Sequence, residues 1–157
     1  ANMSLAAQAS VPIPPSGVQM TCHVAVWFWA AQEAQRIGLT AAKSPLATLQ
    51  RIGAMANGPQ RAMMNLPHVG AVNFAGANPP NLPPIGTVLR WHTLPTHSAI
   101  VTGGDAITGY NQAAFLPGVV SAFRTTARRA DFHPNHGLVY MIPEATVVQA
   151  AGLVFNL

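Results

Sequence analysis

Between Met20 and Arg36 the chain is apolar on nearly every side: Val24 to Ala31 runs eight residues without a polar group, and Gln32, Glu33, Gln35 and Arg36 then break the run. This pattern predicts a helix from Cys22 to about Ile37, ended by Gly38 in the usual C-terminal position. A helix without a polar face is the buried, central helix of its domain. Ser44-Pro45 is an N-cap followed by proline at the first helical position, and Leu46, Leu49, Ile52 and Met55 follow at helical spacing until Asn57-Gly58. A shorter helix is expected from Gln60 to Leu66. Residues 67 to 85 are rich in Pro, Gly and Asn, with a short strand expected at Val69 to Phe74.

The period then changes. Thr87 to Trp91 reads as a strand, and Ser98 to Thr102, Gly103-Gly104-Asp105 and Ala106 to Tyr110 read as a hairpin. Val119 to Thr126 and Leu138 to Ile142 are two further strands, and Glu144 to Phe155 is a short helix or an apolar strap. Helices first and an antiparallel sheet second is the α+β arrangement. Val11-Pro-Ile-Pro-Pro15 and Ser16-Gly17 make residues 1–19 an expected extended arm or linker, a packed N-terminal arm being equally compatible, with a single domain over 20–157.

Length and composition narrow the class. The chain has 157 residues, 50% of them hydrophobic and 8% charged, against roughly 25% charged in a typical domain. That excludes intrinsic disorder and a coiled coil and leaves one packed domain. The eight-residue apolar run falls short of the roughly 20 residues needed to cross a bilayer, so no membrane span is expected. No charged-then-apolar leader precedes it, which suits a mature domain or export by a route that needs none. Eight basic and four acidic residues give a net charge of +4, but Arg36, Lys43, Arg51, Arg61 and Arg90 are scattered and only Arg124, Arg128 and Arg129 cluster. Without a basic stripe and aromatic platforms, nucleic acid is not the expected partner; the arginine cluster suits an acidic protein.

Candidate chemistry starts at Cys22, the one cysteine, which can form no intramolecular disulfide. At a helix N-terminus unpaired N–H groups and the helix dipole favour thiolate, the nucleophilic form. The same N–H groups suit the oxyanion formed when a thiolate attacks a carbonyl. Of the six histidines, His23 points about 100° away from Cys22 on the helix and is a poor partner. His97 opens the hairpin and is the expected base; His92 is the reserve. A third residue should orient the imidazole. A two-residue turn at Gly104-Asp105 sets Gln112 opposite His97, and a three-residue loop sets Asn111 there. His133-Pro-Asn-His136 lacks a third and fourth ligand, so neither metal nor cofactor is expected. Trp27, Phe28 and Trp29 are expected in the core, and Met20, Met55, Met63, Met64 and Met141 as gap-fillers.

Cys22 near the start of an apolar helix, then Gly86-Thr-Val-Leu-Arg-Trp91, then His97-Ser-Ala-Ile-Val-Thr-Gly103 resembles the NlpC/P60 and related papain-like cysteine hydrolases. The resemblance covers roughly residues 18 to 112. It implies a papain-like α+β fold whose buried N-terminal helix carries the cysteine against an antiparallel sheet. It also implies Cys22 as nucleophile, His97 as general base and acid, Asn111 or Gln112 as orienting residue, and Gln19 beside the Cys22 N–H in the oxyanion hole. Thr87 after Gly86, and His23-Val24 after the cysteine, depart from the family pattern. The layout is equally similar to bacterial effector toxins that use a papain-like site on host or rival-cell proteins.

Two readings stand. One is a cysteine hydrolase of amide bonds (peptidase, amidase or glutamine deamidase), acting on protein, peptide or peptidoglycan. It would be secreted or delivered as part of a larger exported protein and met by an immunity protein or inhibitor. The other is a non-enzymatic interaction module in which Cys22 is a buried structural thiol.

Overall fold

The computed structural model describes residues 3–8, 20–73, 81–92, 96–110, 124–128 and 138–155. Five helices occur among them: α1 (Met3–Gln8), α2 (Cys22–Arg36), α3 (Pro45–Gly53), α4 (Gly58–Met64) and α5 (Glu144–Phe155). Six strands occur among them: β1 (Gly70–Asn73), β2 (Val88–Trp91), β3 (His97–Gly103), β4 (Ala106–Tyr110), β5 (Arg124–Arg128) and β6 (Leu138–Ile142). The strands form one antiparallel sheet in the order β1-β6-β2-β3-β4-β5. The protein is therefore α+β, as the change of period implies.

Local chemistry fixes the ends of α2. The Thr21 hydroxyl accepts from the Val24 N–H at 3.2 Å, satisfying one of the orphan donors of the first turn. At the other end Gly38 has φ +80. The Leu39 N–H reaches Ala34 O at 2.8 Å and the Gly38 N–H reaches Gln35 O at 3.2 Å, the paired bonds of a Schellman stop. α3 begins as its sequence dictates, with Ser44 Oγ accepting from the Ala47 N–H at 3.1 Å and Pro45 at the first position.

α2 is the centre of the molecule. Its residues from Cys22 to Ala31 are all buried, and α1, α3, α4 and α5 pack around it. This helical layer lies on one face of the sheet, meeting Val88, Ile100, Tyr110 and Ile142. A second apolar cluster, Val72, Leu89, Trp91, Ala99, Val101, Ile107 and Val139, occupies the other face. Strands β2 and β3 are thus buried on both sides.

The structure decides three points that the sequence left open or drew differently. Residues 1–19 are not wholly an extended arm, because α1 inserts Met3 and Ala7 into the core and the Met3 N–H donates to Glu144 Oε1 at 3.0 Å. The strand expected at Val119 to Thr126 is described as β5 from Arg124 to Arg128, and its first expected residues, 119–123, lie outside the described residues. Glu144 to Phe155, left open as helix or strap, is a helix.

The hairpin has a two-residue turn, with Gly103 opposite Ala106, but the register shifts at Thr102, so that Val101 faces Ile107 and Ala99 faces Gly109. This bulge moves the pairing by one residue. The register toward the strand's start is accordingly the one on which Asn111, rather than Gln112, was expected opposite His97. Both residues lie outside the described residues.

Candidate functional site

Cys22 opens α2 and is 2% exposed. Its Sγ lies 3.9 Å from Thr96 O, the carbonyl that leads into His97, and the Ser98 N–H on the far side of His97 is hydrogen-bonded to the same sulfur. The thiol is therefore held between the two peptide groups that flank His97. The backbone N–H groups of Ser98, His23 and Cys22 all act to lower the thiol's pKa.

Those donors favour thiolate, as the helix N-terminus predicts, yet burial outweighs them and pushes the Cys22 thiol above its ordinary range. The expectation of a thiol activated by the helix end alone is corrected on that point. In the resting protein Cys22 carries its proton.

His97, the first residue of β3, alternates with Ser98 in the direction it faces. Ser98 turns toward α2, whereas His97 shares a face with Ala99. Its ring tilts across Trp91 with centroids 5.1 Å apart. Gly109 makes room for it: a Cβ at that position would sit 3.5 Å from His97 Nε2 and 3.0 Å from the Ala99 Cβ. The imidazole is thus seated between an indole and a bare stretch of backbone, partly exposed.

His23 has a role that sequence reasoning missed. It is 3% exposed and spans two elements, with Nδ1 2.9 Å from Ser98 Oγ and Nε2 3.1 Å from Thr96 Oγ1. Gln60 of α4 donates to the same Thr96 hydroxyl at 2.9 Å. Burial, then the nearby His97, lowers the His23 pKa to about 4. A neutral imidazole has one donor and one acceptor nitrogen, and here each has a hydroxyl partner. The residue set aside as a poor partner for Cys22 instead fixes the backbone on either side of His97. No periodicity signal marks it, because α2 has no polar face to contrast with.

His92, the reserve base, is turned to another use. Arg90 Nε donates to its Nε2 at 2.7 Å, and burial, Arg90 and His68 lower its pKa. Its lone pair is taken by a cation, which corrects its candidacy as a base for Cys22. Gln19, Asn111, Gln112, Arg129, His133 and His136 lie outside the described residues. Arg124 and Arg128 stand at the two ends of β5, opposite Tyr110 and Ala106. Trp27, Phe28 and Trp29 are buried in the core as expected, and Trp27 Nε1 donates to Pro59 O at 2.9 Å, tying α4 to α2.

Among the described residues no group of three metal-ligating side chains converges, and no helix is long and apolar enough to cross a membrane. The chain matches no protein-family model, no curated protein and no solved structure.

Proposed function

We propose that this domain is a cysteine-dependent hydrolase of amide bonds, with Cys22 as nucleophile and His97 as base and acid, on a papain-like fold. The observation that carries the reading is the Cys22 sulfur lying between Thr96 O and the Ser98 N–H, the two peptide groups adjoining His97. Residues more than 70 positions apart in the chain share one end of the sheet, although the His97 ring stands against Trp91 on the face away from α2, so acting as base requires it to turn about the start of β3.

In this mechanism substrate binding turns the His97 ring from Trp91 toward Cys22, and the Cys22 proton passes to it as the substrate excludes water. The sulfur forms a bond to the carbonyl carbon, and the oxygen takes the negative charge near the Cys22 and His23 N–H groups. The C–N bond then breaks and His97 returns the proton to the departing amine. Water, deprotonated by His97, cleaves the thioester and regenerates the thiol. Because burial keeps the resting thiol protonated, proton transfer accompanies substrate binding rather than preceding it. His23 is a positioning residue that holds Thr96 and Ser98, and through them His97.

The substrate class follows from the sequence resemblance: a peptide, a protein glutamine or the peptides of peptidoglycan. The same resemblance supports an effector domain carried in a larger exported protein and opposed by an immunity protein or inhibitor. An activated ester such as p-nitrophenyl acetate tests the nucleophile without knowledge of the substrate. Acetyl transfer to Cys22, seen in the intact mass and absent in Cys22→Ala, is the expected result. A wild-type protein that never acylates overturns the reading.

One observation favours the second reading, an interaction module with a structural thiol: Cys22 is 2% exposed and belongs to the main core cluster. On that reading Cys22→Ala keeps every function of the domain.

A further inference from the structure

Arg90 is an unusual arginine for its surroundings. It lies on β2, a strand buried on both faces, and is 2% exposed. Buried guanidinium groups normally meet a carboxylate, but among the described residues none pairs with this one. The chain has four acidic residues in all, and among the described residues Arg90 is held by neutral groups. Nη1 donates to Met63 O at 3.0 Å and to Leu66 O at 2.6 Å, the carbonyls at the end of α4. Nε donates to His92 Nε2 at 2.7 Å, and Nη2 meets His68 Nδ1 at 3.2 Å. The edge of the guanidinium that ordinarily takes a carboxylate or phosphate in bidentate fashion is occupied by two imidazole lone pairs.

This arrangement fixes the tautomers. Arginine only donates, so each imidazole accepts through the nitrogen facing Arg90 and carries its proton on the other. His92 therefore presents Nδ1–H and His68 presents Nε2–H. Both residues are exposed, and their rings flank Tyr140 at centroid distances of 4.6 and 4.4 Å. A cation donating into the back of each ring polarises it, strengthening the N–H at the front. The same pinning disfavours a metal, which would compete with Arg90 for the ring lone pairs. What remains at the surface is a pair of polarised donors, backed by a positive charge that no carboxylate among the described residues neutralises.

From this geometry we infer that His68 and His92, backed by Arg90, form a binding site for an oxyanion group. The ligand is a phosphate-type or carboxylate group taken up by the two imidazole N–H donors. An anion there supplies the opposite charge that no described residue gives the buried guanidinium and leaves its four hydrogen bonds in place. The site is independent of the hydrolase reading, since Cys22 contributes nothing to it.

The test is an NMR titration of the histidine ring resonances at pH 7.5 with inorganic phosphate, and separately with glutarate, each against sodium chloride at matched ionic strength. Saturable shifts at His68 and His92, with His23 unmoved, are expected from at least one anion. Phosphate alone identifies a tetrahedral ligand group, and glutarate alone a carboxylate. Cys22→Ala binds as wild type does. His92→Glu supplies the missing carboxylate to Arg90 and is expected to fold normally while losing binding at least tenfold. His68→Ala, at an exposed position, weakens it several-fold. Equal shifts in chloride, no saturation with either anion, or wild-type affinity in His92→Glu overturns the inference.

Discussion

The imidazole of His23 on α2 and the hydroxyl of Ser98 on β3 meet at 2.9 Å inside the protein, with Ser98 fully buried. This contact joins the thiol-bearing helix to the strand that begins at His97. Ser98→Ala leaves a buried ring nitrogen without its partner, which costs about 1–3 kcal/mol. Urea denaturation will show the loss as a lowered midpoint with an unchanged slope.

His23 also sets an acid limit on stability. Its pKa is held near 4 in the folded protein against an ordinary 6.5, so below 6.5 the unfolded chain binds a proton that the folded chain refuses. The contribution of His23 is whole above pH 6.5 and is lost as the pH falls toward about 4. The shift sets its ceiling at about 3 kcal/mol. Denaturation midpoints measured from pH 7.5 to 4.5 should fall steeply in wild type and less steeply in His23→Gln.

Cys22 should be slow toward alkylating agents at neutral pH. Burial raises its pKa despite three backbone donors, so native protein at pH 7.5 reacts with iodoacetamide more slowly than a free thiol and speeds up as pH rises. In urea the rate should reach that of an unfolded peptide. Mass spectrometry of the intact chain follows both.

Gly109 offers a way to move His97 without touching it. A methyl group there would stand 3.0 Å from the Ala99 Cβ and 3.5 Å from His97 Nε2. Gly109→Ala should therefore shift the imidazole from its seat on Trp91 at a modest stability cost of about 1 kcal/mol. On the hydrolase reading, acylation by p-nitrophenyl acetate drops about tenfold or more. A displaced His97 ring resonance with retained thermal unfolding checks it.

Gly86 is a structural counterpart. It sits at φ +97, and a Cβ would collide with the Glu144 carboxylate. Glu144 in turn accepts the Met3 N–H, so Gly86→Ala strikes a left-handed backbone and the α1–α5 junction together. A loss of more than about 2 kcal/mol is expected from thermal or urea unfolding.

Much of the fold is legible in the sequence because the punctuation is strong. Gly38, Ser44-Pro45 and Gly104-Asp105 each mark an end or a turn by a local hydrogen bond or backbone angle, and the structure has an end or turn at each. α1 is not legible: its six residues are too few to show a period, and the Pro-rich run after them suggests a linker. The bulge at Thr102 has no sequence mark either, so the register could only be left open. Arg90 reads as one scattered surface charge, yet its strand is covered on both faces and the side chain must end on α4. Cys22 and His97 are visible as residue types. That the sulfur would lie against the peptides on either side of His97 is a tertiary fact, set by how α2 lies on β3.

The first and last helices clasp α2 between them, and the Met3 N–H bonded to Glu144 fastens one to the other. A nascent chain that has already released Cys22 from the ribosome still lacks the partner that covers its helix. The burial of α2 is completed only when α5 emerges, and a protease cut near Pro143 would undo it.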